Sequence, residues 1–129
     1  MIKFREKIGI KECIYLVRWI IDFKILSINL QHCLKSDDLR NFHDHPWDFV
    51  SIVLWGSITD RTENGDTKRK WLSITKFSAE HKHAAVIDKP CWTLLICGPP
   101  RRIWGYWVNG KFRKRNKYYY EHGHHNPCD

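Results

Sequence analysis

Apolar and polar positions of this chain alternate over short runs, with no 3.6-residue period of helical length, so strands are expected rather than helices. Residues 2–8 read as a short edge strand interrupted by charge, and CIYLVRWIIDF (13–23) as a stronger one. In FKILSINLQHCL (23–34), Leu26, Ile28, Leu30, His32 and Leu34 recur at a spacing of two and share one face. His32 therefore sits on an apolar stripe, as a core histidine bonded to the backbone, a metal ligand, or the orienting partner of one. Residues 35–42, KSDDLRNF, form a polar connection. A strand then runs from His43 to near Leu54, and Gly56 supplies the turn. SITDRT, the turn residues of TENGDTK and KWLSITKF make a hairpin. Strands follow at His81–Asp88, CWTLLIC and RRIWGYWV, with a Gly98-Pro99-Pro100 corner and a second hairpin turn at Asn109-Gly110. Short strands about ten residues apart with this turn chemistry predict an antiparallel sandwich or barrel.

Composition narrows the classes. A chain of 129 residues suits one domain, and seven Trp, six Phe and five Tyr reinforce the β reading. The formal charge of +8, from 22 basic and 14 acidic residues, points to an anionic partner or a basic surface. Cysteines at 13, 33, 91, 97 and 128 are odd in number and lack a C-x-x-C spacing, so reduced thiols of an intracellular protein are expected. The N-terminus is charged from its third residue and the apolar runs are short, so neither leader nor membrane span is expected, and the location is read as cytoplasmic.

Candidate chemistry concentrates in two histidine pairs. His43 and His45 in HDHPWDFVSIVLWG are separated by one residue, so both rings point to one face of an extended chain, while Asp44 faces the other way. His81 and His83 in EHKHAAVID repeat the spacing, and His83 continues toward the core through Ala85 and Ile87. Pairs from two strands that converge inside a barrel make a site for a divalent metal, because buried imidazoles need partners and one ion satisfies several. The competing reading is that His81-Lys82-His83 is a solvated edge. Arg101 and Arg102 follow the proline corner; one of them could turn inward to hold a carboxylate or phosphate, or both could be exposed. Trp47, Trp55, Trp92, Trp104 and Trp107 are either a stacking surface or core. Past Lys111, KFRKRNKYYYEHGHHNPCD combines basic residues with three tyrosines, as a nucleic-acid contact or a solvated face. Its His122, His124, His125 and Cys128 could take up metal adventitiously.

HDHPWDFVSIVLWG resembles the first motif of the cupin superfamily, and His81/His83 falls where the second motif's histidine is expected. Across residues 14–110 the chain also looks like small uncharacterised cupin-like proteins of phages and bacteria. The resemblance implies an all-β double-stranded β-helix, a jelly-roll barrel of antiparallel strands over residues 1–110, followed by the basic segment 111–129. It also implies a divalent ion, Fe, Zn, Mn or Ni, held by His43, His45, His83 and His81. One departure stands out. The cupin glutamate four residues after the second histidine is here Phe49, so the usual carboxylate is missing or moved: Asp60 or Glu80 could replace it, or one of the paired histidines could be the fourth ligand, while Asp48, one residue early, would face the other way on a regular strand. Asp60 or Asp48 would then act as ligand or general base, and Arg102 would position substrate. Two functions are expected. One is a metal-dependent enzyme of the oxygenase, isomerase or hydrolase type acting on a small anionic molecule. The other is a non-catalytic barrel whose basic tail contacts nucleic acid or a protein. By resemblance, a homodimer is expected.

Overall fold

The computed structural model describes residues 2–10 and 13–128. Their order is β1 (Ile2–Ile10), β2 (Cys13–Asp22), β3 (Ser27–Cys33), β4 (Phe42–His43), β5 (Phe49–Trp55) and β6 (Ile58–Thr62). There follow β7 (Gly65–Arg69), β8 (Ile74–Phe77), β9 (Ala84–Val86), β10 (Cys91–Cys97), β11 (Gly105–Val108), β12 (Lys111–Lys114) and α1 (Arg115–His122). One layer is a six-stranded antiparallel sheet, β1-β2-β3-β10-β5-β8. The opposite layer is two three-stranded pieces, β12-β11-β4 and β7-β6-β9. His43 and His83 join the pieces by exchanging both backbone hydrogen bonds, each 3.0 Å. The result is the all-β jelly roll expected from the sequence, and its seam is drawn by two of the candidate ligands.

HDHPWDFVSIVLWG differs from expectation in being two elements. The chain leaves β4 after His43, turns through Pro46 and Trp47, and enters the facing sheet as β5. Proline has no N–H for a ladder and restricts the residue before it, so the break falls there. The expected turns hold. Asn109 and Gly110 both have positive φ (52° and 77°), the geometry of a two-residue turn between β11 and β12.

At β3 the six-stranded sheet inverts the usual polarity. On β3 the inner positions are Asn29, Gln31 and Cys33, while Ile28, Leu30 and His32 point outward. His32 thus stacks on Trp92 (ring centroids 4.1 Å) on the outer face, which removes it from the core and from the site. The inner wall continues with Ser51 and Thr93, and the compact apolar cluster is small: Phe49, Phe77, Leu95 and Cys97, with Trp47 against it. A polar inner wall beside a small apolar plug leaves room for a cavity.

The C-terminal segment also departs from expectation. Residues 115–122 form a helix too short for a periodic pattern to reveal, and Tyr118 on it is fully buried, stacked on Tyr106 at 3.9 Å. Arg40 donates to the His122 and Gly123 carbonyls, and His125 Nε2 lies 2.9 Å from the Ser36 carbonyl. Cys13 and Cys128 form a disulfide, which corrects the expectation of five reduced thiols; Cys33, Cys91 and Cys97 are free and buried. An odd count hid the bond, since one pair and three thiols look the same in sequence as five thiols. The bridge spans 115 residues and so restricts the unfolded chain strongly. Cys13→Ser is expected to cost about 2–5 kcal/mol, read from denaturant curves; an unchanged midpoint would mean the tail is held without it. Among the described residues, no helix is long and apolar enough to cross a membrane.

Candidate metal centre

Backbone geometry brings the imidazoles together. His43 and His83 face each other across the seam with ring centroids 4.9 Å apart. His45, two residues on, returns to the same side and is fixed by its N–H to the Ala79 carbonyl at 2.9 Å. Its ring lies 5.2 Å from that of His43 and 4.8 Å from that of His83. Asp44 points the other way, as expected from alternation, and anchors the segment from behind. Its Oδ1 accepts the Gly105 N–H at 2.8 Å, and its Oδ2 accepts Trp107 Nε1–H at 2.9 Å and pairs with Arg102 Nη1 at 2.8 Å.

Two overlapping groups offer ligand atoms within 4.8 Å of one another: His43, His45 and His83, and Asp60, His81 and His83. They share one ring and use different nitrogens of it. His83 Nδ1 makes a short contact with Asp60 Oδ1, while His83 Nε2 faces His45 Nε2 at 3.0 Å. His81 Nε2 lies 3.0 Å from Asp60 Oδ2, so both oxygens of Asp60 are engaged. The first group therefore presents the freer nitrogens, and Asp60 stands behind His83 as a carboxylate that fixes its ring.

Electrostatics agree with that division. Burial, against the pull of Asp37, lowers His43 to about 4. Burial together with the neighbouring histidines puts His45 well below its usual value. Burial alone would raise Asp60, but hydrogen bonds from His81 and His83 outweigh it and hold the carboxyl well below the usual range. Near neutral pH the rings of His43 and His45 are uncharged, with lone pairs available to a cation. The donor set fits a divalent ion on one further observation. His45 Nδ1 is buried with no hydrogen-bond partner among the described residues, and its Nε2 faces a second imidazole nitrogen. Two facing nitrogens share at most one proton usefully, whereas an ion satisfies both lone pairs.

The triad opens onto a cavity of about 620 Å³ between the sheets. Trp47, Trp104 and Tyr106 line it near the histidines, Asp60 and Arg69 line the β6–β7 side, and Tyr119, His124 and His125 bring the tail to its wall. Several expected residues lie elsewhere. Asp48 faces outward, as its position one residue before Phe49 required, and pairs with Arg101 at 2.7 Å. Glu80 joins the same exposed ion pair. Arg102 is spent on Asp44 and on the His45 carbonyl (3.1 Å), so it holds the histidine segment from outside and is not placed to touch a ligand. Phe49 fills the place of the cupin glutamate with a ring 4.7 Å from that of His45. The tryptophans form no common surface: Trp92 stacks outside on His32, Trp107 serves Asp44, and Trp55 is exposed. Sequence reasoning passed over Asp37, whose Oδ2 lies 3.8 Å from His43 Nε2 and accepts the Ala85 N–H at 2.9 Å. It also passed over Arg69. The only signal for Asp37 was a pair of aspartates in the loop before H-x-H.

No family model matches the chain, and no curated protein matches it. Solved structures do. FeII HppE superposes with a TM-score of 0.62 at 12% identity, over 74% of this chain and 56% of that one, so the match spans little more than half of HppE. An RmlC-like cupin from Shewanella frigidimarina gives 0.61 at 18%, covering 78% of this chain and 86% of its own. A sugar phosphate isomerase from a cupin superfamily, from Silicibacter pomeroyi, gives 0.57 at 14%, covering 79% and 78%. At 18% identity and below these superpositions carry the fold alone, and that fold is the jelly roll of its cupin neighbours.

Proposed function

We propose that the protein is a metal-dependent enzyme acting on a small anionic molecule. The observation that carries this reading is the convergence of His43, His45 and His83 on a cavity of about 620 Å³, a volume suited to a small ligand. These three side chains would hold the ion, and Asp60 would orient His83 rather than accept protons, since both its oxygens are engaged. A bound divalent ion supplies Lewis acidity, or with iron an oxygen-activating centre. FeII HppE and the sugar phosphate isomerase show that this fold carries an iron form in one protein and isomerase activity in another. The anionic preference rests on the wall. Asp37, Asp38, Asp44 and Asp60 are all hydrogen-bonded, while the side chains of Arg69 and Arg115 make no hydrogen bond among the described residues and Arg69 has only a long contact, 3.9 Å, to Asp60.

Nucleic-acid binding by the tail has less support. Tyr118 is buried and Tyr119 shares a hydrogen bond with Tyr106 (3.0 Å), which leaves Tyr120 as the exposed ring of the three.

Elemental analysis tests the metal. The full chain carrying His122→Ala, His124→Ala and His125→Ala is expected to retain about one ion per chain, and to lose it when His45→Ala and His83→Ala are added, with the far-ultraviolet circular dichroism unchanged. Loss of the ion with the tail histidines alone would contradict the reading.

A further inference from the structure

On the β6–β7 side of the cavity, Arg69 is a guanidinium without the partners its surroundings would be expected to provide. It makes no hydrogen bond among the described residues, and its Nε is buried with no partner. The nearest carboxylate oxygen, Asp60 Oδ2, is 3.9 Å from Nη2, beyond hydrogen-bond reach, because Asp60 is already committed to His81 and His83. Phe77 supports the cation from its ring, with Cζ 5.5 Å from the centroid. The guanidinium thus lines the cavity with a long ion-pair contact to Asp60 and no hydrogen bond from its Nη groups, which leaves those donors for a ligand. Of the other basic side chains on the wall, Arg18 is held by Glu6 at 2.9 Å and Arg115 lies over Trp104.

Resting on the enzyme reading above, we infer that Arg69 is the anion anchor of the cavity and that its ligand is a small carboxylate. The Arg69 side chain keeps 28% of its exposure while Nε is closed off, so the planar guanidinium meets a ligand through its terminal Nη groups, whose N–H pair matches the two oxygens of a carboxylate. The neighbouring Asp60 decides between anions. An ionised carboxylate beside the anchor repels a phosphate dianion more than a monoanion. Asp60 also connects the two ends of the site, one oxygen toward His83 and the other toward the His81 and Arg69 side. A carboxylate held by Arg69 would thus extend its remaining atoms along the cavity toward the three imidazoles.

Isothermal titration of the full chain with benzoate, benzamide and inorganic phosphate, before and after removal of metal with EDTA, tests this directly. Benzoate is expected to bind in both states, at least tenfold more tightly than neutral benzamide and more tightly than phosphate. Arg69→Gln should weaken benzoate at least tenfold and leave metal content unchanged. Arg69→Lys, which keeps the charge and loses the fork, should recover only part, and Arg115→Gln should have little effect. The inference is overturned if benzoate does not bind the wild-type chain, if benzamide or phosphate binds as well, or if Arg69→Gln leaves benzoate affinity intact. Benzoate binding that needs the ion and ignores Arg69 would overturn the anchor and leave the metal reading standing. Arg69-dependent binding to a chain that takes up no metal would do the reverse.

Discussion

Asp44→Ala is expected to lower stability by about 3 kcal/mol, near the lower end for breaking a buried pair. Asp44 is 1% exposed and accepts from Gly105 and Trp107 while pairing with Arg102. Removing it strands three donors. Arg102 is 24% exposed at its side chain, so water recovers part of its loss, which keeps the effect below the 5 kcal/mol of fully enclosed pairs. Asp44→Asn should cost less, because an amide oxygen still accepts the Gly105 N–H. Urea denaturation of the metal-free chains measures both. A loss under 1 kcal/mol for the alanine variant would show that the segment carrying His43 and His45 is held by other contacts.

Acid should destabilise the metal-free protein starting above the usual carboxylate range. His43 has a usual value of 6.5 and about 4 in the fold, so between those limits the unfolded chain binds a proton that the folded chain does not. Stability from this group is therefore fully present above about 6.5 and falls as the pH drops toward 4. At about 1.4 kcal/mol per pH unit, the span from 6.5 to about 4 amounts to about 3 kcal/mol. His45, shifted in the same direction, adds to the loss. Asp60 acts in a different window: its folded value is depressed, so its contribution persists until the pH falls below the usual carboxylate range. Denaturant midpoints at pH 7, 6, 5 and 4 should decline steadily in the wild type and less steeply in His43→Gln, which keeps the His45 share. A flat profile from pH 7 to 4 would mean that His43 and His45 are protonated without cost.

How much of this was readable before any coordinates depends on which rule governed each residue. Alternation correctly set His43 and His45 together and Asp44 and Asp48 on the opposite side, because a two-residue period is geometric and does not depend on context. The turns at Asn109-Gly110 and Gly56 were readable for a similar reason, being demands of backbone conformation. Polarity misled at β3. Leu30 and His32 looked like core because apolar residues usually face inward, yet the inside of this sheet faces a cavity that takes Gln31 and Thr93. Arg69 was overlooked for a related reason. It stands in the charged run DTKRK, where only the fold distinguishes a lysine pointing to solvent from an arginine lining a cavity. The short helix is seated partly by Tyr118 against Asn41, 77 residues away, and the Cys13–Cys128 bond spans 115 residues, separations that local patterns do not encode.

Anomalous diffraction from crystals of the full chain grown with zinc or cobalt addresses the centre itself. One strong peak is expected where the rings of His43, His45 and His83 converge, about 2.1 Å from a nitrogen of each, with Asp60 still on His83 Nδ1. A peak confined to His122, His124 and His125, or bound ion with any of the three rings turned away from it, would contradict the account.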